Sequence, residues 1–194
     1  MAIKTYPDLP AVTGIGSPVS SGEETFYRFY ANSTQASMTT SQTMLLVYFT
    51  AQVTEPITHL AVSPNTAASG LTLARSGVYS VGTSGALSAL LASSASDTSQ
   101  WTIATPGLGG TNATATLTST FSKVAGTRYA IGLLAVGTTM PTFIGVTPLA
   151  ADAAGVAVDP IICAKVTGQS DLPSSVASGS LVTYGICPYV WMKP

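Results

Sequence analysis

The sequence predicts an all-β protein: an antiparallel β-sandwich, with jelly roll as the expected topology, preceded by an extended N-terminal arm. Three observations predict it. About nine or ten short runs rich in β-branched and aromatic residues recur at roughly ten-residue spacing. Pro, Gly, Ser or Asn separates most of these runs. No long stretch carries a convincing 3.6-residue apolar period, apart from an ambiguous segment after Ser21.

The runs follow in order. Thr43–Thr50 reads Thr-Met-Leu-Leu-Val-Tyr-Phe-Thr and suits a strand through its branched and aromatic side chains. Ile57–Val62 follows Glu55-Pro56, and Leu71–Val81 comes next. Gly82-Thr-Ser-Gly85 then predicts a turn, with Ala86–Ala92 returning as a hairpin partner. Ala113–Thr120 alternates small apolar residues with Thr. In the next run Tyr129, Ile131, Leu133 and Ala135 alternate with Ala130, Gly132 and Leu134, which predicts one well-buried face. Thr142–Val146, Ile161–Val166 and Leu181–Trp191 complete the set. Eight strands with additions fit a jelly roll, and the lack of an internal repeat disfavours propellers and solenoids.

Residues 1–42 differ from the rest, and the chain divides into this arm and a sandwich over residues 43–194. The arm holds Pro7, Pro10 and Pro18, which prevent a continuous helix. Tyr6, Leu9, Val12 and Ile15 recur about every three residues and are candidate anchors along a groove on a neighbouring subunit. Fully extended, some forty residues reach on the order of 130 Å. At Ser21-Gly-Glu-Glu24 the spacing of a capping box allows a short helix, while Thr25–Tyr30 is aromatic and suits a strand equally well.

Composition narrows the function. Charged residues make up 8 % of the 194, about a third of the usual share. With a formal net charge of −1, the surface is expected to be neutral and small-residue, suited to contact between subunits. The cations Lys4, Arg28, Arg75, Lys123, Arg128, Lys165 and Lys193 form no cluster, which argues against a nucleic-acid partner. No apolar stretch approaches the roughly 20 residues of a membrane-crossing helix, so no membrane insertion is expected. The N-terminus lacks the apolar region of a signal peptide, which predicts synthesis and assembly in cytoplasm. Cys163 and Cys187 are then expected as reduced core thiols, with a bridge between them as the alternative.

A search for chemistry finds little. His59 is the sole histidine and lies in a run expected as a strand, where partial burial is its ordinary role. No Gly-x-Ser-x-Gly elbow accompanies it. Two cysteines and one histidine do not make a structural zinc site, and no cofactor is expected. The carboxylates Asp8, Glu23, Glu24, Glu55, Asp97, Asp152, Asp159 and Asp171 fall mostly in expected loops, with Asp171 before Leu-Pro suited to capping a turn. A glycoside hydrolase needs two carboxylates facing each other across a cleft. Of the two tryptophans, Trp191 is expected in the core or a subunit interface. Trp101, after the polar run Ser93–Gln100, is the candidate surface contact for a sugar, since an aromatic face can stack on a pyranose ring.

Three segments carry a family resemblance: Leu73-Ala-Arg-Ser-Gly-Val-Tyr-Ser-Val-Gly-Thr-Ser-Gly85, Phe121-Ser-Lys-Val-Ala-Gly-Thr-Arg-Tyr-Ala-Ile-Gly-Leu133 and Gly168-Gln-Ser-Asp-Leu-Pro-Ser-Ser175. Over roughly residues 43 to 192 the sequence resembles the small β-sandwich domains of minor tail proteins and tail fibres from phages of actinobacteria. The resemblance implies a non-enzymatic virion subunit at the tail tip, assembled in the host cytoplasm with other phage proteins and touching the host envelope, where a cell-envelope glycan is the expected partner. By analogy with phage fibres it implies a homo-oligomer, with a trimer favoured. No coiled-coil or collagen-like repeat lies in residues 1–42. A capsid decoration protein or head fibre is the alternative expectation, and a cell-wall polysaccharide hydrolase or a free carbohydrate-binding module ranks below both.

Overall fold

The computed structural model describes residues 22–26, 31–104, 112–147 and 161–194. Their strands are β1 (Glu23–Glu24), β2 (Asn32–Ser37), β3 (Thr43–Thr50), β4 (Glu55–Val62), β5 (Pro64–Thr66), β6 (Ser69–Val81) and β7 (Leu87–Ser93). The second half adds β8 (Ala113–Lys123), β9 (Arg128–Thr139), β10 (Thr142–Val146), β11 (Cys163–Val166), β12 (Val182–Thr183), β13 (Cys187–Pro188) and β14 (Val190–Lys193). The pairings are antiparallel. No described helix is long and apolar enough to cross a membrane.

One layer is a six-stranded sheet in the order β12-β11-β3-β9-β6-β7. The other layer joins the sheet β1-β14-β4-β8 to a smaller one in which β10 lies between β2 on one side and β5 and β13 on the other. The junction is a corner. Chain segments that pair as β4 and β14 part at Ser63 and Tyr189, and β10 spans the gap. Ile144 N–H donates to Ser63 O at 2.9 Å, and Ile144 O accepts from Tyr189 N–H at 2.9 Å. The expected antiparallel sandwich is therefore present. Jelly roll is a narrower class than these strand orders establish.

The core between the layers follows the period-two alternation of the strands. Leu45, Val47 and Phe49 of β3, Ile131, Leu133 and Ala135 of β9 and Ala74 and Val78 of β6 line one wall. Ile57, Leu60 and Val62 of β4, Leu117 and Phe121 of β8 and Val190 and Met192 of β14 line the other. The Ile131–Leu133–Ala135 side of β9 faces this core, as the alternation predicts.

The opposite side of β9 is buried as well, where one buried face was expected. Ala130 and Leu134 join Met44, Leu46 and Tyr48 of β3, Tyr79 of β6 and Leu87 of β7 in a second apolar cluster on the outer face of the sheet. Leu172, Val176 and Leu181, from the segment after β11, cover it. This strap explains why Met44–Phe49 is buried at every position rather than at alternate ones. Gly132 makes room for the packing: a Cβ there would stand 2.9 Å from Met44 Sδ and 3.0 Å from a Tyr79 ring carbon.

The sandwich also takes in residues expected in the arm. Glu23 and Glu24 pair with Met192 and Trp191, and Asn32–Ser37 runs beside β10. The body thus begins by residue 22 rather than 43. No helix starts at Glu23–Glu24; extended backbone there completes the edge of β14. Residues 1–21, with Tyr6, Leu9, Val12 and Ile15, lie outside the described residues.

Candidate functional site

Trp101, the expected surface contact, is buried. Its relative exposure is 0 %, and its ring meets Phe143 edge-on at 5.1 Å between centroids. The polar run before it explains the correction. Asp97 caps a turn by accepting from Ser99 N–H and Oγ, and Thr102 N–H closes back on Ser99 O at 3.2 Å. That turn drives the indole inward, where Trp101 O accepts from Ala68 N–H at 2.8 Å. A polar run of this kind signals a loop but does not reveal which way the next large side chain points.

Trp191 is the tryptophan nearer the surface. Directly paired residues share a face of a sheet, so Glu24, Trp191, Ala61 and Thr114 form one row on the outer side of the β1-β14-β4-β8 sheet. Lys193, His59 and Thr116 form the next row. Lys193 Nζ lies 4.3 Å from the Trp191 ring centroid, a cation–π contact. His59 is partly buried, as expected, and its Nδ1 is hydrogen bonded to Thr58 Oγ1 at 2.7 Å.

Ionic contacts bring together residues that are remote in sequence. Lys123, at the end of β8, has a side chain that is 0 % exposed. Its Nζ lies 2.5 Å from Glu23 Oε2 and 3.0 Å from Glu55 Oε1, and donates to Val53 O at 2.8 Å. Glu23 Oε1 in turn accepts from the Gln52 backbone N–H at 2.9 Å. Two of the ammonium donors are taken by Glu23 Oε2 and Val53 O, while Glu55 Oε1 stands at ion-pair distance without a hydrogen bond. Lys123 and Glu55 are a directly opposed cross-strand pair, and Glu23 reaches them from β1. The sequence puts Glu23 in a segment with capping-box spacing and Glu55 just before an expected strand, and neither position points to Lys123. The signal for Lys123 was its position two residues after Phe121, on the buried face of β8.

The remaining carboxylates are dispersed. Glu23 and Glu24 are consecutive on a strand, so their side chains leave on opposite faces. Asp171 accepts from the Leu172 N–H of the next residue at 2.7 Å, a contact that spans no turn, and its main partner is Arg75. Asp8, Asp152 and Asp159 lie outside the described residues. A pocket of about 490 Å³ opens beside β1, lined by Glu23, Glu24, Phe26, Phe49, Thr50 and Gln52 among others. Among the described residues no group of three His, Cys, Asp or Glu side chains is arranged to hold a metal ion.

Cys163 and Cys187 are buried free thiols, and Cys163 Sγ lies 2.7 Å from Tyr184 O. Two buried phenols stand out electrostatically. Burial pushes Tyr48 up to about 12, against a lesser opposing pull from Arg128, whose guanidinium carbon lies 5.4 Å from the ring centroid. Burial also pushes Tyr79 up, against a lesser pull from Arg75. Tyr48 donates to Gly85 O at 2.8 Å.

Comparison with protein-family models and with curated proteins finds no match to this chain.

Proposed function

We propose that this chain is a non-enzymatic structural subunit of a bacteriophage particle, a minor tail or tail-fibre protein whose sandwich is the displayed body. The observation that carries this reading is where the few charges go. Arg75 is spent on Asp171 and Lys123 on Glu23 and Glu55. Arg128 donates to Ile161 O and lies over Tyr48, while Lys165 and Lys193 lie over Tyr184 and Trp191. A composition already poor in charge thus commits much of it to internal contacts. What remains for neighbours is a neutral surface of Ser, Thr and Ala. Such a surface sets a weak barrier to contact between copies and suits a subunit held in an assembly. The resemblance of the Leu73–Gly85, Phe121–Leu133 and Gly168–Ser175 segments to phage tail domains supports the same conclusion.

In this reading residues 1–21 attach the body to other virion proteins, and copies associate as a trimer. An autonomous contact of that kind buries more than about 1,000 Å². Quantifying the chain against the major capsid protein in purified particles tests the assignment. A tail-tip subunit is expected in a few to a few dozen copies. Hundreds of copies would move it to the capsid as a decoration protein, and absence from particles would overturn a virion role.

A further inference from the structure

We propose that Lys123 and Glu23 condense into an intramolecular amide cross-link, with Glu55 as the acid–base group that closes it. The inference goes beyond the virion reading and does not depend on it. Its basis is that every chemical role needed for the condensation is filled at one point of the fold.

The amine is Lys123 Nζ, held by Val53 O at 2.8 Å and shut off from solvent. The acceptor is the Glu23 carboxyl group. Its Oε2 stands 2.5 Å from Nζ, too close for a water molecule between them. Its Oε1 receives the Gln52 backbone N–H at 2.9 Å, a donor placed where negative charge collects when an amine adds to the carboxyl carbon. The proton carrier is Glu55. Its Oε1 is 3.0 Å from Nζ, buried, and has no aligned hydrogen bond among the described residues, so it is available to take a proton. Glu55 has no comparable backbone donor among the contacts described, which assigns Glu23 rather than Glu55 as the acceptor.

The step balances without any co-reactant. Glu55 takes one proton from the Lys123 ammonium, and the freed nitrogen lone pair adds to the Glu23 carboxyl carbon, forming the C–N bond. The carboxyl oxygen nearest Nζ then receives two protons of nitrogen origin, one relayed by Glu55, and leaves as water when its C–O bond breaks. Glu55 ends as it began, and the sum is one ammonium plus one carboxylate giving one amide plus one water. Positioning accounts for the driving geometry, since the groups are already in contact. The Lys123 side of the product stays shut off from solvent, while the Glu23 side borders the pocket beside β1, through which water can leave. The link would close a loop across 100 residues and fasten β1 covalently to β8.

Intact-mass measurement of the full chain tests this, beside the Lys123→Arg and Glu55→Gln variants. The wild-type protein is expected to weigh one water molecule less than its sequence, and both variants are expected at full mass, with any loss of the initiator Met common to all three. Trypsin should fail to cut after Lys123 in the wild type, and fragmentation should join the Glu23 and Lys123 peptides. Should either variant fail to fold, the wild-type mass and peptide map decide alone. Wild-type protein at full mass would show an ordinary buried ion cluster and overturn the proposal. A link found at Glu55 instead of Glu23 would overturn the assignment of roles.

Discussion

Arg75 Nη1 lies 2.7 Å from one carboxylate oxygen of Asp171 and 2.9 Å from the other, across 96 residues of sequence. The contact fastens the strap that covers the outer face of the six-stranded sheet. Arg75 is steadied in turn by Ser94 O and Ser93 Oγ, each at 2.9 Å. Asp171 is 54 % exposed, so solvent screens the pair. Asp171→Ala is expected to lower global stability by less than about 1 kcal/mol. The larger effect is expected locally. Amide exchange in residues 168–176 should quicken while β3 and β9 stay protected, and hydrogen-exchange mass spectrometry measures this directly.

Trp101→Ala removes the largest fully buried side chain of the described core. A cavity against Phe143 should follow, with a loss of about 3–5 kcal/mol. Trp101→Phe keeps the edge-on aromatic contact and should lose clearly less. Urea denaturation of both variants checks the order, and equal small losses would show that the indole is not packed as described.

Alkaline pH should destabilise the fold in a defined window. A phenol ionises near pH 10 in the unfolded chain, and Tyr48 ionises only near 12 in the folded one. Between these values the unfolded state has shed a proton that the native state keeps, so stability falls as pH rises. Below pH 10 the contribution is fully present. Within the window Tyr48 removes about 1.4 kcal/mol per pH unit, and Tyr79 acts in the same direction. Chemical denaturation at stepped pH should show this slope, and Tyr48→Phe should reduce it to the share that Tyr79 keeps.

Truncation separates attachment from folding. Deleting residues 2–20 leaves β1 and Glu23 in place and is expected to preserve the melting temperature while preventing entry into particles. Deleting residues 2–26 removes the partner of Lys123 and the edge strand on β14, and should destabilise the body. Loss of fold in the shorter deletion would make the N-terminal segment part of the domain and end its reading as an anchor.

Legibility in the sequence followed the locality of the cause. Thr43–Thr50 and Thr142–Val146 coincide with β3 and β10, because their branched and aromatic residues favour a strand whatever surrounds them. Asn32–Ser37 carries no such signal; its polar residues become β2 only because β10 offers an edge to pair with. The expected run Leu181–Trp191 resolves into β12, β13 and β14, since the chain turns a corner at Tyr189 that composition does not mark. The cluster at Lys123 was invisible for a related reason. Its partners come from β1 and β4, and only the fold makes them neighbours.

The strap does more than cover a face. Its backbone also meets the outer margin of β7. Leu87 and Val176 exchange two N–H···O bonds of 2.9 Å, and Leu90 N–H donates to Ser174 O at 2.9 Å. A strand left open there would be a template for another molecule's strand, and growth by that route has no natural end. Unblocked margins of this kind lead to fibrous aggregates. With Leu87 and Leu90 already bonded to the strap, a foreign strand cannot add along this part of the margin. The strap is thus a stop against runaway strand-to-strand growth at this margin.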